Sequence, residues 1–65
     1  MEYTNSMIRA LISEHIHSER DRRIMERRMI DGIVYERIAE EEDMSPRQIR
    51  NIVYRNEKIL FSKLP

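Results

Sequence analysis

The pair Ser45-Pro46 restricts what this chain can fold into more than any other feature of it. A serine caps a helix by accepting a backbone N–H. A proline at the first helical position gives up no hydrogen bond that the helix would have made. One helix must therefore end before the pair and another begin at it. Punctuation elsewhere is sparse: a single glycine, Gly32, and a second proline at position 65. Val and Thr are few and charged residues many, a composition that favours helices over strands.

Four helical segments follow. Thr4-Asn5-Ser6 offers N-caps, and Met7, Ile8, Leu11, Ile12 and Ile16 recur at helical spacing, so a first helix is expected over about residues 6–17. Ser18 with Asp21 three residues on reads as a shortened capping box. It opens a second helix that runs to about Ile30, with Ile24, Met25 and Met29 inward, and Asp31-Gly32 ends it. The third helix, about residues 35–42, places Tyr35, Ile38 and Ala39 on one face, and Glu42 completes that face. The fourth runs from Pro46 to about Lys63, with Ile49, Ile52, Val53, Ile59 and Leu60 inward. The expected fold is all-α, one small four-helix domain. Residues 1–17 brace it or pair two copies, and residues 18–65 form its main body.

Charge is sorted along the chain although the formal net charge is zero. Counting Lys and Arg against Asp and Glu, residues 36–44 carry −4 and residues 45–65 carry +4. Net neutrality therefore leaves room for a polyanion partner, because such binding depends on a local basic surface. The acids Glu40, Glu41, Glu42 and Asp43 lie before the positive end of the fourth helix, which favours them. Pairing with Arg47 or Arg50 is the natural expectation, and nearby acids would hold down non-specific affinity for phosphates.

Two helices joined by a turn of a few residues suggest a helix-turn-helix. Ala39 is small enough for a close crossing, Asp43 tolerates positive φ, Met44 plugs the corner, and Ile49 and Ile52 anchor the second helix on the first. The opposite side of the last helix is then fixed. Arg47, Asn51, Tyr54 and Lys58 stand at i, i+4, i+7 and i+11, flanked by Gln48, Arg50 and Arg55. Arginine can donate two bonds to guanine, and asparagine or glutamine can pair with adenine in a major groove. Flanking arginines suit phosphates, which position a helix without reading sequence. The plain alternative is a solvated face with no partner. Tyr54 would pack on a thymine methyl or cover its own helix.

"GIVYERIAEEEDMSPRQIRNIVYRNEKIL", residues 32–60, resembles region 4 of sigma-70-type RNA polymerase sigma factors. It looks closest to the short sigma-region-4-like helix-turn-helix proteins of Firmicutes, their phages and mobile elements. Ile38-Ala39-Glu40-Glu41, Met44-Ser45, and Arg47-Gln48-Ile49 leading to Ile52 carry the resemblance, and "HSERDRRIMERRMIDG" extends it over residues 17–64. It implies DNA recognition by the last helix, with residues at the positions of Pro46, Arg47 and Asn51 facing bases and those at Arg50 and Arg55 approaching phosphates. It also implies RNA polymerase as a second partner. Two departures stand out. Val34 replaces the usual Thr or Ser cap of the third helix, and Glu42 replaces an apolar residue, leaving it at the edge or paired with Arg28.

The expected base-contacting set is thus Pro46, Arg47, Gln48, Asn51 and Tyr54. The phosphate set is Ser45, Arg50, Arg55 and Lys58. "RDRRIMERR", residues 20–28, adds five arginines. They read either as a solvated face with pairs such as Arg22–Glu26, or as one or two further phosphate contacts. His15 and His17, two apart on a helix, point to different sides and do not suggest a metal site. No glycine-rich phosphate loop or nucleophile constellation occurs, so neither enzyme activity nor a cofactor is expected. No apolar run reaches the roughly 20 residues of a membrane helix, and the start lacks a leader pattern, so a cytoplasmic protein is expected. The reading is a sequence-specific transcription regulator that binds double-stranded DNA, as one copy or as a homodimer. The alternative is a protein-interaction module of the same fold that binds RNA polymerase or another protein without DNA.

Overall fold

The structure is a computed structural model and describes residues 3–64. Those residues form four α-helices: α1 (Asn5–His15), α2 (Glu19–Met29), α3 (Tyr35–Glu42) and α4 (Pro46–Ser62). Local chemistry sets each boundary. Thr4 accepts the Met7 N–H and starts α1 one residue earlier than expected. The Ser18 hydroxyl accepts the Asp21 N–H at 3.3 Å and starts α2. The anticipated return contact from Asp21 to the cap does not form, because the carboxylate is turned inward toward α4. Gly32, at φ 69°, supplies the left-handed residue after α2.

The turn between α3 and α4 takes three residues, 43–45. Asp43 adopts φ 56° and ψ 48°, the left-handed region in which Asp is among the tolerated side chains. The Met44 N–H reaches the Ala39 carbonyl at 2.9 Å, and the Asp43 N–H points at the Glu40 carbonyl. These two bonds form a Schellman termination and satisfy carbonyls that the end of α3 would otherwise orphan. Two residues later Ser45 and Gln48 close a reciprocal capping box. The Ser45 Oγ accepts the Gln48 N–H at 3.1 Å, while the Gln48 Oε1 accepts the Ser45 N–H at 2.9 Å. The Ser-x-x-Gln spacing was there to be read in the sequence.

All four helices contribute to one core of Ile12, Ile16, Ile24, Met25, Ile38, Ala39, Ile49, Ile52, Val53 and Leu60. Within it α4 packs against α2 and α3, and α1 lies against α2 and α4. Two expected core residues fall outside. Met7 lies on the solvent side of α1, and Ile59 is 39% exposed. At 100° per residue Ile59 sits on the flank of α4, whereas Asn56 lies midway between Ile52 and Leu60 and is only 4% exposed. Geometry puts an amide where hydropathy alone would have put the isoleucine.

Val34 is the N-cap of α3 and makes no side-chain cap bond, because valine carries no acceptor. Its extended backbone, φ −69° and ψ 154°, already suits a capping side chain. Val34→Ser should therefore raise unfolding free energy by about 1 kcal/mol in urea titrations. No gain would mean that the exposed valine makes a compensating contact.

Candidate nucleic-acid interface

The solvent side of α4 is built by what its other side buries. Ile49, Ile52, Val53, Asn56 and Leu60 fix the rotation of the helix. Pro46, Arg47, Gln48, Arg50, Asn51, Tyr54, Arg55 and Lys58 are all left exposed, as is Ser45 at its cap. Among the described residues, the side chains of Arg47, Arg50, Asn51, Tyr54 and Lys58 form no hydrogen bond or ion pair. Tyr54 is 53% exposed, so its ring does not fold down onto the core. Gln48 differs from its neighbours: its side-chain oxygen is engaged in the cap of α4, leaving the amide N–H groups to face outward.

The acids of α3 do not pair with Arg47 or Arg50. Glu41 and Glu42 reach backward to α2 instead. Arg23 donates through Nε and Nη2 to the two carboxylate oxygens of Glu42, at 3.0 and 2.9 Å. Arg27 makes a second fork onto Glu41 and also bonds Asp31 at 3.1 Å. Arg37 approaches Glu41 from within α3 at 3.6 Å. Glu42 thus finds Arg23 rather than Arg28. Arg28 is held elsewhere, its guanidinium 4.4 Å from the centroid of the half-buried Tyr35 ring and bonded to the Ile33 carbonyl. The reason is rotational: α3 packs on α2 with this edge facing it, so its carboxylates meet the arginines one turn apart on α2.

Arg22 does not pair with Glu26. It donates to the Ile16 and Ser13 carbonyls and caps the end of α1. The five arginines of α2 therefore have distinct partners: Arg22 holds α1, Arg23 and Arg27 hold α3, Arg28 holds Tyr35 and the Ile33 carbonyl, and Arg20 bonds Asp21. On α4, Arg47, Arg50 and Lys58 have no acidic partner among the described residues, whereas Arg55 approaches Asp21.

The α2–α3 ion pairs have a signature in acid. The hydrogen-bonded Arg27 holds the Glu41 carboxyl below its ordinary value of 4.5, and Arg23 does the same for Glu42. Folded-state values below the unfolded ones mean that this stabilisation is present above the unfolded value and is lost as pH falls through the folded one. Unfolding free energy should therefore decline as pH drops below 4.5. The double variant Glu41→Gln/Glu42→Gln should lose less over that interval. Parallel pH profiles for the two proteins would show that the pairs contribute nothing.

A second surface feature is apolar. Tyr3, Ile8, Leu11, Met29, Leu60, Phe61 and Leu64 line a groove of about 50 Å³ between α1 and the end of α4. Phe61 is 54% exposed at its edge. No three His, Cys, Asp or Glu side chains converge among the described residues, and no helix there is long and apolar enough to cross a membrane. The chain matches no protein-family model, no curated protein and no solved structure.

Proposed function

We propose that the protein binds double-stranded DNA in a sequence-specific manner and regulates transcription, with α3 and α4 acting as a helix-turn-helix and α4 entering the major groove. The observation that carries this reading is the partner distribution on α4. Arg47, Arg50, Asn51 and Tyr54 are exposed and, among the described residues, unengaged, while Glu41 and Glu42, close to them in sequence, are occupied by α2. Arg47 and Asn51 read base edges, with Pro46, Gln48 and Tyr54 beside them. Ser45, Arg50, Arg55 and Lys58 contact phosphates. The short turn, the left-handed Asp43, the buried Ala39 and the anchors Ile49 and Ile52 support the motif. The likeness of residues 32–60 to sigma region 4 supports promoter-type DNA as the target and RNA polymerase as a further partner.

Selection of bound fragments from random duplex DNA tests this. Enrichment of a defined sequence is expected, with an affinity that falls steeply as salt rises, because phosphate contacts release counterions. Palindromic sites with centres about 34–36 Å apart would indicate a homodimer. Absence of any complex at low salt would remove the DNA reading. The apolar groove beside Phe61 favours a second reading, in which the same scaffold binds a protein. A salt-insensitive protein complex without a DNA shift would select it.

A further inference from the structure

Among the described residues Asp21, at the N-terminal end of α2, is the one buried carboxylate, 7% exposed. Its partners come from two helices. Arg20 donates to Oδ1 through Nε and Nη2, at 3.2 and 3.1 Å. Arg55 of α4 approaches Oδ2 at 3.4 Å, and the buried amide of Asn56 donates to the same oxygen at 3.3 Å. Asn56 is itself held by the Ile52 carbonyl at 2.9 Å. The carboxylate is therefore fixed from behind by a buried amide and meets two guanidinium groups in front. The side chains of those arginines remain 48% and 63% exposed.

An acid meant only to neutralise would need one cation. Here two converge on one carboxylate, leaving an excess positive charge at the surface and several N–H donors on each arginine still free. Arg55 follows Asn51 by one helical turn, so the cluster adjoins the face proposed to read bases. We propose that Asp21 is a positioning residue that gathers Arg20 and Arg55 into a two-arginine clamp for a single DNA backbone phosphate beside the site of Asn51. This rests on the DNA-binding reading above. Asp21 itself touches no nucleic acid. It restricts two long side chains that would otherwise sample many rotamers, so less freedom is lost when a phosphate arrives.

The sign of one substitution separates this role from bulk electrostatics. Asp21→Asn deletes a negative charge, and by Coulomb attraction alone it would tighten binding to a polyanion. The clamp requires the reverse. At about 0.1 M salt, Asp21→Asn should bind duplex DNA roughly three- to tenfold more weakly, with a salt slope shallower by about 0.9. Arg55→Ala should then cost much less in the Asp21→Asn background than in the parent, since the two act together. Tighter binding by Asp21→Asn, or additive losses, would overturn the proposal. Should Asp21→Asn fail to give a cooperative helical melt, Arg20→Ala and the Arg20→Ala/Arg55→Ala pair carry the test. Slopes shallower by about 0.9 in the pair support a clamp on one phosphate, and an unchanged slope in both excludes it. Parent protein that shows no salt-dependent DNA binding would instead remove the DNA reading itself, a result distinct from a parent that binds and an Asp21→Asn variant that binds better.

Discussion

Ile49→Ala should remove about 2–5 kcal/mol of unfolding free energy, a large share of what holds the domain together. Ile49 is fully buried in the core that α4 shares with the other three helices. Truncating a buried isoleucine to alanine costs about 2–5 kcal/mol, through lost transfer energy and the cavity left behind. A domain of this length holds only about 3–10 kcal/mol in total, at roughly 0.05–0.15 per residue. No cysteine exists to add a disulfide. Circular dichroism should show loss of helical signal, or a melting point lower by about 10 °C or more. The paired control is Ile59→Ala, at a flank position. It should cost clearly less than Ile49→Ala, because 39% of Ile59 already meets water. Equal losses from the two variants would mean that α4 is rotated from the position described.

The second large effect concerns recognition. Arg47→Ala/Asn51→Ala should abolish discrimination between a selected DNA site and random duplex while leaving the fold intact. Both side chains are exposed and, among the described residues, form no hydrogen bond or ion pair, so their removal should change stability little. Each bidentate base contact contributes about 1–3 kcal/mol of discrimination. The pair together would lower affinity for the selected site by about one to four orders of magnitude. Binding to random duplex should weaken far less, by the one cationic contact that Arg47 gives up. A uniform loss on all sequences would assign both residues to the backbone and return the base-reading role to Gln48 or Tyr54. The result would be sharpest alongside Lys58→Ala, which should flatten the salt slope without altering sequence preference.

The elements were legible wherever a boundary was written in side-chain chemistry. Ser18, Gly32 and Ser45-Pro46 each place a helix end within one residue of where it occurs, because capping is local and depends on few atoms. The rotation of α4 was read nearly correctly from its aliphatic residues. Hydropathy favours Ile59 over Asn56 for the core, whereas angular position along α4 favours Asn56. Asn56 could have been found by following the i+4 row from Ile52 to Leu60. The inward turn of the Asp21 carboxylate had no local signal, since the α4 partners that draw it in lie 34 and 35 positions away. The same holds for Glu41 and Glu42 of α3. Their sequence neighbours on α4 were the obvious cations, yet helix packing brought Arg23 and Arg27 nearer. Charge pairing across helices is a property of the folded arrangement, and a one-dimensional pattern carries it poorly. Glu42 shows the point: its polar character looked like a defect in an apolar face, but it stands where a basic helix crosses.

The reciprocal lock between Ser45 and Gln48, with Pro46 inside it, bears on the heat of any encounter this surface makes. Backbone that is already set needs no induced folding when a ligand arrives. Calorimetry on the complex should therefore return a modest negative heat-capacity change, sized to the contact patch alone, without the larger increment that accompanies a segment condensing from coil.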